Sequence, residues 1–369
     1  MKILHILEGL FPGGTENVVM NWNRHISHPL FQFDFLINNI KKICYEKEIK
    51  ELGGKILIVN QRSAGIKSIL KYTYTVYDLL RKNNYDTVIA HMGYISGFEL
   101  MAAWFAGIPK RISVSHMGYY YDTSKIKIWL YKFLIWVFAT DCWAVSEQAG
   151  KNLFWSHFEI VKNGIDLKRF QFNKEARQNI RKRLDWNDSF IIGIVGRLEK
   201  EKNHQFLLNV FKSLSVTYPT MRLLIIGSGS LKSSILTQIK ESNLTDKVKM
   251  TDAVSNIEDF YSAMDCLVVP SLYEGFSLTA LEAQAEGLSV FVSENVPHIV
   301  QIINTKILPL SNITLWMTGI ENTFHNQIVR DSIKAVQTIR QAGFDIQVEV
   351  KRIEKLLQDI KDTNETHKK

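Results

Sequence analysis

Short runs of mostly apolar residues, some interrupted by a polar position, alternate along the chain with longer stretches in which apolar positions recur every three to four residues. The short runs are Ile3–Leu7, Phe33–Ile37, Lys55–Val59, Thr87–His91, Arg111–Ser115, Cys142–Val145 and Ile160–Lys162, then Ile191–Val195, Leu223–Ile226, Val248–Thr251, Cys266–Val269 and Ser289–Val292. Each reads as a strand, and runs without polar alternation suit strands buried on both faces. The periodic stretches between them predict helices: one capped by Thr15 and running through Val18, Val19 and Trp22, then Cys44–Leu52, Ile66–Arg81, Ser96–Phe105 and one from Ser146. Later come His204–Leu214, a helix ending near Glu241, Ile257–Ala263, and one capped by Ser277 that ends near Gly287. Two further helical patterns, Arg330–Gln341 and Gln347–Ile360, precede a polar tail, Asp362–Lys369, that reads as frayed. Strands alternating with helices predict an α/β architecture of parallel, doubly wound sheets covered on both faces.

The chain's 369 residues exceed one ordinary core, so two domains are expected. Asn163-Gly164 is a turn signal, and Asp166–Lys182 reads as a polar connector. The boundary therefore falls between a domain of residues 1–165 and one of 166–346, with the last helix, about 347–369, placed to pack back on the first.

Charge changes this picture only in the first half. Of the net +8, +6 falls in residues 1–165, which suits a membrane surface, a nucleic acid or an acidic substrate. Lys125–Ala139, KIKIWLYKFLIWVFA, sets Lys125, Lys127 and Lys132 among aromatics. It is too short to span a bilayer, and it reads either as a core helix under the first sheet or as an interfacial helix meeting anionic headgroups. The three cysteines, Cys44, Cys142 and Cys266, stand far apart, as suits a reducing compartment, and have no metal-ligand spacing. Met1-Lys2 leads into a strand rather than a signal peptide, and no apolar run is long enough to cross a membrane.

Candidate chemistry collects where strands hand over to helices. The stretch Pro270–Gly287 leads from a buried strand through Glu274, Gly275 and Phe276 into the helix capped by Ser277, with Glu282 inside it. A helix start offers free backbone N–H groups and a dipole that favours an anion, while carboxylates accept hydrogen bonds from sugar hydroxyls. Gly196–Asn203 carries Arg197 and Lys202, interleaved with Glu199 and Glu201. Arg197 and Lys202, with helix starts at Ser230 and Ser277, describe a diphosphate site. No Asp-x-Asp pair occurs, so these cations take the place of a metal. Gly13-Gly14 precedes a helix start where a ligand can approach the backbone, and Arg111–Ser115 delivers His116 and Gly118 to a loop at a sheet's C-terminal edge. Gly227-Ser228-Gly229 is neither a P-loop nor a full dinucleotide fingerprint, and no nucleophile elbow or Cys–His pairing stands out.

Six segments then occur in order: GGTE at Gly13–Glu16, AVSEQAGKNLF at Ala144–Phe154, NGIDLKRF at Asn163–Phe170, VGRLEKEKNH at Val195–His204, IGSGSL at Ile226–Leu231 and PSLYEGFSLTALEAQAEGL at Pro270–Leu288. Together they resemble the retaining glycosyltransferases of family 4, and most of all the bacterial enzymes that assemble exopolysaccharide or capsule repeat units. The resemblance implies the GT-B fold, two Rossmann-like domains facing across a cleft, with no metal and no cofactor beyond the nucleotide-sugar co-substrate, expected to be UDP-linked. It implies that Arg197 and Lys202, beside Gly196, hold the diphosphate. It further implies that the backbone of Ser277, Leu278 and Thr279 meets the phosphates, that Glu282 binds the ribose, and that Glu274, with Gly275 and Phe276, contacts the donor sugar. Gly14 would approach the diphosphate, and His116 matches the acceptor-loop histidine. The implied acceptor is a lipid-linked saccharide or polysaccharide, handled in the cytoplasm or peripherally at the inner membrane face, with no nucleic-acid partner. Two rival readings are a non-catalytic partner subunit of another transferase and a nucleotide-sugar epimerase. The chain departs from the pattern at Met250–Asn256, where Asp252, Ala253 and Val254 stand in place of a Gly-containing turn followed by Arg.

Overall fold

The computed structural model describes residues 1–11, 13–39, 44–59, 65–116, 124–326 and 330–359. Gly118 and the tail Asp362–Lys369 lie outside the described residues. The chain divides into two compact units, one of Met1–Gly164 with Ile346–Lys369 and one of Ile165–Asp345.

The first unit runs β1 (Lys2–Leu7), α1 (Gly14–His25), β2 (Gln32–Ile37), α2 (Glu46–Glu51), β3 (Ile56–Ile58), α3 (Ile66–Asn83), β4 (Thr87–Ala90), α4 (Ser96–Phe105), β5 (Lys110–Ser115), α5 (Lys125–Phe138), β6 (Asp141–Ala144), α6 (Glu147–Leu153) and β7 (Glu159–Ile160). Its strands form one parallel sheet in the order β3-β2-β1-β4-β5-β6-β7. Almost every residue of β1, β2, β4 and β6 is buried, as the unbroken apolar runs require when helices cover both faces.

The second unit runs α7 (Lys174–Leu184), β8 (Phe190–Val195), α8 (His204–Thr217), β9 (Met221–Ile226), α9 (Lys232–Glu241), β10 (Val248–Thr251), α10 (Ile257–Ala263), β11 (Cys266–Val269), α11 (Leu278–Ala285), β12 (Ser289–Ser293), β13 (Thr305–Leu308), α12 (Ile313–Asn326) and α13 (Ser332–Gln341). Its parallel order is β10-β9-β8-β11-β12-β13. The final helix, α14 (Ile346–Gln358), returns to the first unit. There Glu354 accepts from Ser27 N at 2.7 Å, Glu349 accepts from Lys162 N at 2.9 Å, and Lys110 Nζ donates to the carbonyls of Leu356 and Asp359.

In both units the strand order reverses beside the first strand, between β1 and β4 and between β8 and β11. Loops leaving the carboxyl ends of the two strands at such a point diverge to opposite faces and leave a crevice, where open α/β sheets bind ligands.

Several elements differ from expectation. Asp166–Lys182 is not all connector. The Asn173 side chain accepts from the amides of Glu175 and Ala176 and starts α7, whose charged surface hid a stripe reduced to Ile180 and the stem of Arg181. Asp265 anchors this helix, accepting from Arg177 Nη2 and Arg181 Nη2 at 2.6 Å each and from Ile191 N at 2.7 Å. The edge strand β13 and helix α12 were not expected at all. β13 is only partly buried and α12 turns Trp316 and Ile320 into the core, so neither gives a strong period on its own. The α1 cap is Gly13 rather than Thr15, and it makes no side-chain capping bond.

Helix α5 does not settle into the core. Ser124 caps it and Ile135 is its buried residue, but Ile126 is 82% exposed, Trp129 56% and Trp136 46%. Trp155 and the α4 residues Trp104 and Phe105 are also exposed, with the Trp129 and Trp155 rings 5.8 Å apart and those of Trp104 and Phe138 5.7 Å apart. Among the described residues no helix is long and apolar enough to cross a membrane.

Candidate functional site

In the second unit the loops after β8 and β11 flank the reversal of strand order, and they carry most of the expected residues. Gly196 has φ +153°, which lets the chain turn sharply off the end of β8. Arg197 and a 3-10 turn over Lys200–Lys202 follow. Leu272 N donates to Glu201 O at 2.8 Å, so the backbone of one loop is tied to the other.

That tie brings Lys202 to Glu274. The ammonium lies 2.7 and 2.9 Å from the two carboxylate oxygens, and both side chains are largely buried. Ser271 Oγ donates to the same carboxylate at 2.9 Å, and Ser271 O accepts from Ser293 Oγ, linking the site to β12. Arg197 is more exposed and pairs with Glu201 at 2.6 Å. The cations expected for a diphosphate are therefore already engaged with carboxylates, and Lys202 and Glu274 form one unit.

Four residues after Glu274, α11 begins. Ser277 Oγ accepts from Ala280 N at 3.4 Å, as a cap does, and Phe276 is buried against Phe344 with ring centroids 5.6 Å apart. Helix geometry leaves the Leu278 and Thr279 amides without an intrahelical partner. One turn into α11, four residues after Leu278, Glu282 accepts from Tyr261 OH at 2.9 Å. Burial raises the Glu282 carboxyl to about 7, against the Tyr261 hydrogen bond and the charge of Arg169, which both favour ionisation. Arg169 is itself held by Glu258 at 2.7 Å.

The expected helix start at Ser230 is corrected. Helix α9 begins at Lys232 with Leu231 at its cap, and Ser230 gives its N–H and hydroxyl to Glu199 at 2.8 and 2.6 Å. An acidic residue of the same loop thus already occupies the anion-binding end of the Gly227–Gly229 turn, where Gly227 packs on Gly196 O. Glu199 is held well ionised by those bonds.

In the first unit the start of α1 carries Gly14, and a methyl group built there meets no heavy atom of the described residues within 4 Å, its chain neighbours and its own helix backbone apart. The Glu16 carboxylate lies over Gly13 instead. His116 leaves the end of β5 half-buried, its Nε2 2.8 Å from His91 Nδ1, and burial lowers its pKa to about 4. Tyr261 is a site neighbour outside all six resembling segments, and Arg169 and Ser271 lie inside two of them without an assigned role. Each is an ordinary core or loop residue in sequence and gains its role from sheet topology. Among the described residues no cluster of three or more His, Cys, Asp or Glu side chains is arranged to hold a metal ion.

The family described as "Glycosyl transferases group 1" matches residues 176–335, which span these loops. EpsF of Bacillus subtilis (strain 168), a protein named as a glycosyltransferase, is 31% identical over 366 residues, 95% of this chain and 94% of that protein. The Escherichia coli UDP-Gal:alpha-D-GlcNAc-diphosphoundecaprenol alpha-1,3-galactosyltransferase is 26% identical over 316 residues, 80% of each chain. Among solved structures, Anabaena Alr3699/HepE in complex with UDP-glucose superposes with a TM-score of 0.79 at 16% identity, covering 97% of this chain and 99% of that one. Two doubly wound parallel sheets of the GT-B class, the family match across these loops and the 31% identity over 95% of the chain lead to one conclusion: the chain belongs to the group 1 glycosyltransferases.

Proposed function

We propose that the chain is a retaining, metal-independent glycosyltransferase of family 4. It moves a hexosyl or N-acetylhexosaminyl group from a UDP-sugar to a lipid-linked or polysaccharide acceptor in exopolysaccharide or capsule synthesis. The observation that carries this reading is the Lys202–Glu274 pair, which joins the loops after β8 and β11 at the reversal of strand order, four residues before α11 begins. Lys202 has three N–H donors and can keep Glu274 while reaching a phosphate oxygen, and Arg197 needs only to leave an exposed ion pair. As the glycosidic bond breaks, charge grows on the leaving diphosphate. Fixed cations and the Ser277–Thr279 amides stabilise that charge more in the transition state than in the ground state. Glu274 then faces the donor sugar, Glu282 accepts from the ribose hydroxyls, and His116 serves the acceptor.

The UDP-sugar and the lipid-linked acceptor are supported by the similarity to the galactosyltransferase, whose name gives both, and by the fold shared with a UDP-glucose complex. The exposed aromatic surface of α5, with Lys125 and Lys127 beside it, supports peripheral contact with an anionic membrane at its inner face.

Calorimetry of UDP, GDP and UDP-sugars with EDTA present, on wild type and Lys202→Ala, tests the donor site. UDP binding that survives EDTA and weakens in the variant is expected. Turnover of Lys202→Ala or Arg197→Ala is expected to lose about 2.7–4 kcal/mol of barrier stabilisation. Near-wild-type turnover in either variant would refute the assignment, and absence of any nucleotide binding would favour a partner subunit. Product stereochemistry by NMR decides retention.

A further inference from the structure

Three imidazoles form a line through the first unit. His5 lies in β1 opposite Ile89 of β4, and Ala90 of β4 lies opposite Ser113 of β5. Carrying the register forward, His91 stands two residues beyond Ile89, and His116 stands two residues beyond Val114, the neighbour of His91. Two residues is the repeat of one sheet face, about 6.6 Å of rise. The three rings therefore share a face and climb in steps across β1, β4 and β5 toward the carboxyl edge.

The steps are bonded. His5 Nδ1 is 3.0 Å from His91 Nε2, and His91 Nδ1 is 2.8 Å from His116 Nε2. The inner end is closed by aromatic rings. The His5 ring centroid lies 4.3 Å from Phe33, 5.7 Å from Phe35 and 6.3 Å from Trp22. His5 Nε2 is buried and has no hydrogen-bond partner among the described residues.

Each of the two bonds needs one N–H and one lone pair, and a neutral imidazole has one of each. Burial lowers the pKa of all three histidines, so all are neutral near pH 7. The tautomers are then coupled: all three rings are Nδ1–H, or all three are Nε2–H. Two effects select the second. Nε2–H is the more stable tautomer of a neutral histidine, and the line counts that preference three times. It also directs the His5 N–H into aromatic surroundings, where ring faces are electron-rich and accept an N–H but repel a lone pair. The closed inner end gives a proton no exit, so the line sets polarity rather than conducting.

We propose that His91 and His5 are positioning residues that hold His116 as its Nε2–H tautomer, so that His116 Nδ1 presents a lone pair to a hydroxyl of the saccharide acceptor. This rests on the reading above that His116 serves the acceptor. It makes His116 a hydrogen-bond acceptor, selective for a ligand O–H over a carbonyl or phosphate oxygen.

The test is 15N spectroscopy of the histidine rings in the full chain, with His116 assigned by loss of its signals in His116→Gln. The expected pattern at pH 7.5 is a pyridine-type Nδ1 and a pyrrole-type Nε2 for His5, His91 and His116. A pyrrole-type Nδ1 on His116 would overturn the proposal. His91→Leu cuts the line, and His5→Phe removes its inner bond while keeping an aromatic ring in the cage. In both, the His116 signals are expected to move toward a mixture of tautomers, with kcat falling about tenfold, by analogy with partners that orient metal-bound histidines, and KM for the nucleotide sugar unchanged. Unchanged His116 signals in both variants would refute the positioning role, and should the variants not fold, the wild-type pattern decides alone. The spectra need no turnover. A chain without transferase activity would therefore defeat the functional reading while leaving the tautomer result intact, and the opposite tautomer in an active enzyme would defeat only this inference.

Discussion

Replacing Glu282 by glutamine should stabilise the second unit at alkaline pH while weakening its hold on a nucleotide. Burial raises this carboxyl from 4.5 to about 7. An acid whose pKa is higher folded than unfolded keeps its proton in the native state across that window, so stability is lost as pH rises through it. Each pKa unit is worth about 1.36 kcal/mol, so moving from pH 5.5 to well above 7 costs the wild type about 2 kcal/mol at this residue. Glutamine has nearly the same shape, can still accept from Tyr261 OH and cannot ionise. The stability gap between Glu282→Gln and wild type is therefore expected to grow by about 2 kcal/mol between pH 5.5 and 8.5, or about 4–8 °C in midpoint for a unit of this size. Glu286 is raised to about 7 as well, but it is present in both proteins and cancels in the comparison. Scanning calorimetry at the two pH values measures the gap, and titration with UDP on the same samples measures the loss of binding. A gap that does not change with pH would refute the claim that Glu282 is ionised against its surroundings. A binding site that keeps a desolvated carboxylate sacrifices stability for recognition, and the two measurements together show whether Glu282 is such a group.

Gly14→Ala adds a methyl where, among the described residues beyond its own backbone surroundings, no heavy atom stands within 4 Å, so thermal stability should stay within about 0.5 kcal/mol of wild type while kcat falls; unchanged kcat would remove Gly14 from the reaction. Changing Lys125, Lys127 and Lys132 to Glu should release the protein from anionic vesicles in a sedimentation assay at low salt, and a wild type that never sediments would end the membrane reading. Asp265→Ala leaves Arg177 and Arg181 without their shared carboxylate, and urea unfolding should report a loss of about 3–5 kcal/mol; a loss under 1 kcal/mol would mean that backbone carbonyls alone hold both guanidinium groups.

The residue pattern carried the alternation of strands and helices because parallel strands buried on both faces leave continuous apolar runs such as Ile191–Val195 and Cys266–Val269. It carried the Ser277 cap because capping is local chemistry. It did not carry β13 or α7, since an edge strand is half-exposed and a helix covered in Arg and Lys shows little period. The site was legible as a set of residue types, Arg197, Lys202, Glu274 and Glu282, but not as a set of pairs. Lys202 with Glu274, Arg197 with Glu201 and Ser230 with Glu199 arise from loops meeting at the reversal of strand order, which no spacing along the chain encodes. The histidine line is hidden for the same reason, with 86 residues between His5 and His91 and 25 between His91 and His116.

The return of α14 to the first unit has a consequence for synthesis. The second unit is one continuous segment and can close as soon as it clears the ribosome. The first unit cannot, because the partners of Ser27, Lys110 and Lys162 lie in residues 349–359, beyond all of Ile165–Asp345. At about 5–20 residues per second, the nascent amino-terminal sheet waits on the order of ten seconds or longer with the surface for its last helix uncovered. For that interval the apolar face of the first unit stays open to mispairing and aggregation, although its own strands have already been made.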